Sequence, residues 1–167
     1  MATGTILLPV LGAVGIEAAP VGVGFTATNK RPYLIFDGAG ALEGCVWTFR
    51  MPENYASGPV AKIQWSGSSS TTVTHTCQWT VNVLALTPNV DGAADSTSFD
   101  NGNIVTDDIL GTTAKRIQEI SVTLTNNDSA AADDNVSILL RRDSAHANDD
   151  LPEDAWLWAM SIEYTTT

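Results

Sequence analysis

Side chains able to do covalent or metal chemistry are few in this chain. Histidine occurs twice, at His75 and His146. His75 lies on the apolar face of an alternating segment, the place of a satisfied core histidine rather than a catalyst. His146 falls in a polar stretch with Asp143, Asn148, Asp149 and Asp150. An imidazole there is a weak metal ligand or, on the plainer reading, simply solvated. Neither histidine joins a serine or cysteine in a motif for nucleophilic catalysis. The adjacent acids Asp107–Asp108, Asp133–Asp134 and Asp149–Asp150 lie near strand ends, where clustered loop oxygens could take calcium. None follows the alternating ligand pattern of an EF-hand loop, so they read as solvent-facing carboxylates. Two carboxylates can also cleave a glycoside, but nineteen Asp and Glu offer many pairs and single out none. Gly22 and Gly24 are not followed by a helical pattern, so a dinucleotide-type phosphate loop fails in context. The sequence therefore predicts no catalytic residue, no cofactor and no metal site, and a non-enzymatic protein.

Cys45 and Cys77 are the two cysteines. Each shares a strand face with a tryptophan two residues on, Trp47 or Trp79, and reads as a buried free thiol acting as a small apolar group. A disulfide between them requires their strands to be neighbours. The tryptophans, Trp47, Trp65, Trp79, Trp156 and Trp158, could stack on sugar rings if they faced solvent. Each has aliphatic neighbours at strand spacing, which places them in the core. Trp65 is the weakest case for burial, since it ends its predicted strand beside Ser66 and Gly67. Asn127 and Asn135 begin glycosylation sequons, which carry meaning only in a secreted chain.

Hydrophobic residues make up 44% of the 167, charged residues 16%, and the net charge is −11. A surface this acidic repels phosphate, so neither nucleic acid nor an anionic membrane is an expected partner. Solubility is the plain use of such a surface and attraction to a basic partner the sharper one. No basic flank precedes an apolar stretch at the N-terminus. The apolar run 6–16 is too short to span a bilayer and is broken by Pro9, Gly12 and Gly15. The expectation is a soluble chain made in a cytoplasm.

The elements that would position any site follow from a period of two. Residues 1–30 are rich in Gly, Ala, Val and Pro and show neither helical period nor strict alternation. They read as an extended apolar arm that must lie against its own domain or a neighbouring subunit. Residues 31–167 then give one domain of successive strands. Tyr33–Phe36 is a short apolar strand. In the next, Cys45, Trp47, Phe49 and Met51 share a face, and in the one after, Ala61, Ile63 and Trp65 do. Over 73–84 the apolar side chains Val73, His75, Cys77, Trp79, Val81 and Val83 oppose Thr74, Thr76, Gln78, Thr80 and Asn82, a half-buried antiparallel pattern. A polar loop covers 88–103. Strands recur over 117–125, preferred to a helix at 113–120, and through Val136, Ile138 and Leu140. The last strand sets Trp156, Trp158, Met160, Ile162 and Tyr164 on one face against Ala155, Leu157, Ala159, Ser161 and Glu163. Seven or eight such strands predict an all-β, antiparallel β-sandwich, jelly-roll-like in its strand number. An immunoglobulin-like sandwich is the alternative, poorly matched by the cysteine and tryptophan spacing.

The segments Arg31–Phe36, Trp47–Tyr55, Leu139–Asp143 and Ser161–Tyr164 resemble β-sandwich virion proteins of tailed bacteriophages, most of all capsid decoration (cement) proteins. The resemblance implies a structural protein on the capsid surface of the virion. It would bind across subunits of the major capsid protein as a homotrimer and add buried area that resists their separation. The candidate contacts lie in the arm: Ile6, Leu7, Leu8, Val10, Leu11, Val14, Ile16, Val21, Val23 and Phe25. The competing expectations are a tail or fibre component and a carbohydrate-binding β-sandwich module. The second requires exposed aromatics and polar loops in one concavity.

Overall fold

The computed structural model describes residues 2–16, 19–40 and 42–167, with backbone alone at 19–20. Among these residues the strands are β1 (Thr3–Leu8), β2 (Val14–Ile16), β3 (Ala19–Pro20), β4 (Gly22–Phe25), β5 (Pro32–Phe36), β6 (Leu42–Arg50), β7 (Tyr55–Gly67), β8 (Thr76–Leu86), β9 (Asn103–Asp108), β10 (Gln118–Thr123), β11 (Asn135–Asp143) and β12 (Ala155–Thr166). One sheet runs β10-β7-β12-β5-β4, with β1 also on β12. The other runs β2-β6-β11-β8-β9, with β3 against β6. Pairing is antiparallel except between β3 and β6. From β5 to β12 the chain changes sheet at every connection but β8–β9, the crossing that a jelly roll needs. The all-β sandwich expected from the period-two pattern is the fold. Among the described residues no helix is long and apolar enough to cross a membrane, and 118–123 is strand rather than helix.

Inner faces of the two sheets form one core. Cys77, Trp79, Val81 and Val83 of β8 point into it and are all but inaccessible. Val73 and His75, expected to extend that face, precede β8 in a turn closed by the His75 N–H on the Thr72 carbonyl, and Val73 is 47% exposed. Trp65, the weakest case for burial, is fully buried as the core reading expected. Strand β7 continues through Gly67, so Trp65 does not end it. Its indole N–H donates to Asp107 Oδ2 at 2.8 Å, satisfying the one polar group that burial would penalise. Edge-to-face contacts of Trp79 with Phe36 (5.1 Å) and Trp65 (5.9 Å) knit the core centre. Each is worth about 0.5–1.5 kcal/mol beyond burial.

The stretch read as an arm is extended, but it is paired into its own domain. Leu8 and Val10 lie in the core, and Ile6 and Val21 pack against it. Trp47 Nε1 donates to the Pro9 carbonyl at 2.9 Å, pinning the turn between β1 and β2. Because this segment changes sheet every few residues, no single period runs through it. Leu7, Leu11, Val14, Val23 and Phe25 remain exposed, and Ile16 is half-buried.

Arg142, near the end of β11, is fully buried. Its guanidinium grips Asp149 through Nε and Nη2, both at 2.9 Å. The remaining donors reach the carbonyls of Phe36 (3.2 Å), Leu151 (2.8 Å) and Glu153 (2.8 Å). All five N–H donors of an arginine are thereby used. This network ties the end of β5 to the loop that leads into β12, and fixes where the two strands meet.

Candidate functional site

Strands β5 and β12 lie side by side, with Ala155 opposite Phe36, Trp156 opposite Ile35 and Leu157 opposite Leu34. Leu34, Phe36, Ala155 and Leu157 turn into the core. Tyr33 and Trp156 therefore project from the other side of the sheet, as diagonal neighbours across the strand pair. At the next position β12 breaks register. Leu157 opposes Trp65 and Ala159 opposes Gln64, so Trp158 is the extra residue of a β-bulge. The bulge inverts the parity of the strand. Met160, Ile162 and Tyr164 face the main core cluster, whereas Trp156 and Trp158 join Tyr33 on the other side of the sheet, where Tyr33 and Trp158 are still buried. This corrects the single-face assignment of these five residues.

The three rings form a compact cluster. Tyr33 stacks on Trp156 at 4.1 Å and 21°. It meets Trp158 at 5.1 Å, and the two indoles lie 5.9 Å apart at 71°. Trp158 is anchored by its N–H on Ser66 Oγ at 2.9 Å. Trp156 is half-exposed, and its Nε1 is a buried donor without a partner. Loop 26–31 and the segment before β10 stand on either side. Together with the rings they enclose a groove of about 560 Å³, walled by Phe25, Ile117 and the polar residues Thr26, Thr28 and Asn29. That volume lies within the range of roughly 300–1,000 Å³ typical of small-ligand clefts. Arg31 lies over the Trp158 ring at 5.2 Å and Lys115 over the Trp156 ring at 4.9 Å. Tyr33 and Trp158 are themselves buried, at 8% and 7% exposure, so Trp156 is the ring open to the groove. An indole there, with polar groups along the rim, suits the apolar face and hydroxyl edge of a sugar ring.

The residues singled out from sequence for chemistry are elsewhere. His75 is half-buried, with Nδ1 3.2 Å from Ser70 Oγ. His146 is exposed and accepts the Asn148 N–H at 3.1 Å. The paired acids serve backbone and side-chain donors. Asp107 holds Trp65 and Gln118. Asp133 pairs with Arg50 and Asp134 caps Ala131. Asp149 holds Arg142, and Asp150 receives the N–H and hydroxyl of Thr76, which holds its carboxyl below the usual range. Among the described residues no three His, Cys, Asp or Glu come together in a group that could hold a metal ion.

No protein-family model matches the chain, and no curated protein matches it in sequence. Solved structures share its fold. The xylan-binding module CBM15 superposes with a TM-score of 0.57 at 11% identity, over 99% of each chain. A family 35 carbohydrate-binding module from Clostridium thermocellum does so at 0.50 and 14%, over 95% of this chain and 97% of that one. A cleaved adhesin domain of Lys-gingipain from Porphyromonas gingivalis does so at 0.52 and 12%, over 99% of each. At these identities the likeness is one of architecture.

Tyr33, Trp156, Trp158, Arg31 and Lys115 were not picked out as a site from sequence. The available signal was two tryptophans one residue apart opening a strand, an arrangement that strict alternation places on one face and a bulge can turn outward.

Proposed function

We propose that this protein is a glycan-binding module that seats a sugar ring in the groove over Tyr33, Trp156 and Trp158. The observation that carries the reading is the partly exposed Trp156, backed by the buried rings of Tyr33 and Trp158, beside a cleft of ligand size. Sandwiches of this architecture named as carbohydrate-binding modules support the reading. The test is affinity electrophoresis and calorimetry of the purified chain against a panel of soluble polysaccharides. Trp156→Ala is expected to weaken binding at least tenfold while leaving circular dichroism and melting unchanged. Binding that survives Trp156→Ala and Trp158→Ala together would remove the groove from the reading.

A second reading, the capsid decoration protein, rests on the exposed apolar residues Leu7, Leu11, Val14, Val23 and Phe25. On that reading they meet a major capsid protein or an adjacent protomer of a homotrimer. Light scattering on the same preparation separates the two. A mass near three times 17.7 kDa and uptake onto emptied heads support decoration. A monomer that binds glycan supports the module.

A further inference from the structure

Positive charge gathers around the groove, although Lys30 also donates its ammonium to the Ala27 carbonyl within its own turn. The chain carries eight Lys and Arg against nineteen Asp and Glu. Four of the eight, Lys30, Arg31, Lys115 and Arg116, stand in the two segments that flank the groove. None of the residues lining it is an acid. A cleft of one sign in a molecule of the opposite net sign concentrates counter-charged ligand at its mouth. All four side chains are exposed. Lys30 and Lys115 stand on left-handed backbone, with φ of 56° and 61°, where a glycine would be less strained.

The placement of the cations on the rings adds a second argument. Tyr33 fills one face of Trp156 at stacking distance. Lys115 Nζ therefore lies over the remaining face, 4.9 Å from its centre, where a sugar would stack. Arg31 covers Trp158 in the same manner. A neutral ring entering the groove displaces these cations and offers them only hydroxyl acceptors, without a counter-charge. A ring that carries an anionic group stacks on the indole and keeps the displaced ammonium or guanidinium in a charge-assisted hydrogen bond. Guanidinium fits a carboxylate in the bidentate geometry that a planar fork provides.

We infer that the groove selects acidic glycans, chains bearing uronate carboxylates, with Trp156 as the stacking surface and Arg31 and Lys115 as the carboxylate ligands. This rests on the glycan-binding reading above and sharpens it to a ligand class.

The test compares polygalacturonate with the same polymer after methyl esterification, which keeps the backbone and removes the charge. Neutral xylan and a sulfated galactan complete the panel, each at low and raised salt. The expected result is polygalacturonate bound at least tenfold more tightly than its ester, with affinity falling as salt rises. Arg31→Gln and Lys115→Gln should each lose about fivefold on polygalacturonate and nothing on the ester, and Lys115→Arg should restore most of the loss. Equal affinity for the acid and its ester overturns the carboxylate preference and leaves the aromatic groove standing. Tight binding of the sulfated galactan alone overturns the carboxylate in favour of sulfate. Failure to bind any of the four removes the glycan reading itself, and the inference with it.

Discussion

Glu153 shows how a single carboxylate braces the approach to the aromatic strand. It receives the backbone N–H of Ser69 at 2.9 Å, that of Ser70 and the Ser69 hydroxyl. Partial burial raises its carboxyl pKa, but these hydrogen bonds and the nearby His75 outweigh it and the net shift is downward. A folded value below the unfolded one means that the folded state binds the proton less readily. The resulting stability is complete above the ordinary value of 4.5 and disappears as pH falls through the lowered folded value. Glu153→Gln should therefore cost about 1 kcal/mol near neutrality, the scale of a hydrogen-bond loss at a part-exposed site. The gap to the parent should close in acid. Urea unfolding at a series of pH values reads this directly, and a gap that does not change with pH would show that the loss is steric. Asp107, Asp149 and Asp150 act in a similar way, as acceptors for groups brought from elsewhere in the chain. The sequence displayed these acids but not their donors, because Trp65, Arg142 and Thr76 reach them only through the fold.

Glycines next to tyrosines are the corresponding device of the elements. Gly24 on β4 lies opposite Tyr33 on β5, and Gly4 on β1 lies opposite Tyr164 on β12. In each pair the tyrosine ring lies over the bare glycine backbone, and a methyl group at Gly24 would stand 2.5 Å from the Tyr33 ring. An aromatic residue covering a cross-strand glycine restores the packing that the missing side chain forgoes. At Gly22 a methyl group would meet Ile35 at 3.5 Å, an ordinary contact. Gly24→Ala should consequently lift Tyr33 off Trp156 and cost about 1–3 kcal/mol, the range for overpacking. Gly22→Ala should be near neutral. Thermal melts of the two variants make the comparison, and equal melts would show that Tyr33 is free to move aside. These pairings explain why the first thirty residues resisted a periodic reading. Their glycines break strand propensity locally and are justified only by rings more than a hundred residues away in one case and nine in the other. Strands β6, β7 and β8 were legible because one period runs through each. Strand β12 was legible as a strand but not in its facing, since nothing local marks Trp158 as the bulged residue.

The order of the strands decides what the two thiols can do. Cys45 opposes Leu140 on β11, and Leu140 opposes Val81 on β8, the strand that carries Cys77. The cysteines therefore sit on strands separated by a third, about two spacings of ~4.8 Å apart, beyond the usual Cα separation of a disulfide. Both are free and buried. Burial raises the pKa of each thiol, so neither offers a reactive thiolate while the sandwich is closed. They line the same core from the same sheet. Exposing either one means separating the two sheets, which is loss of the whole fold rather than a local opening. A thiol reagent should thus label Cys45 and Cys77 together, at a rate equal to that of global unfolding followed by tryptophan fluorescence, and with the same denaturant dependence. Reductant should leave the melting temperature unchanged. Rapid labelling of one cysteine in native buffer would mean that β6 or β8 detaches by itself. The sheets would then be two units of unequal stability, and the aromatic groove, carried by β5 and β12, could stay intact while the opposite sheet opens.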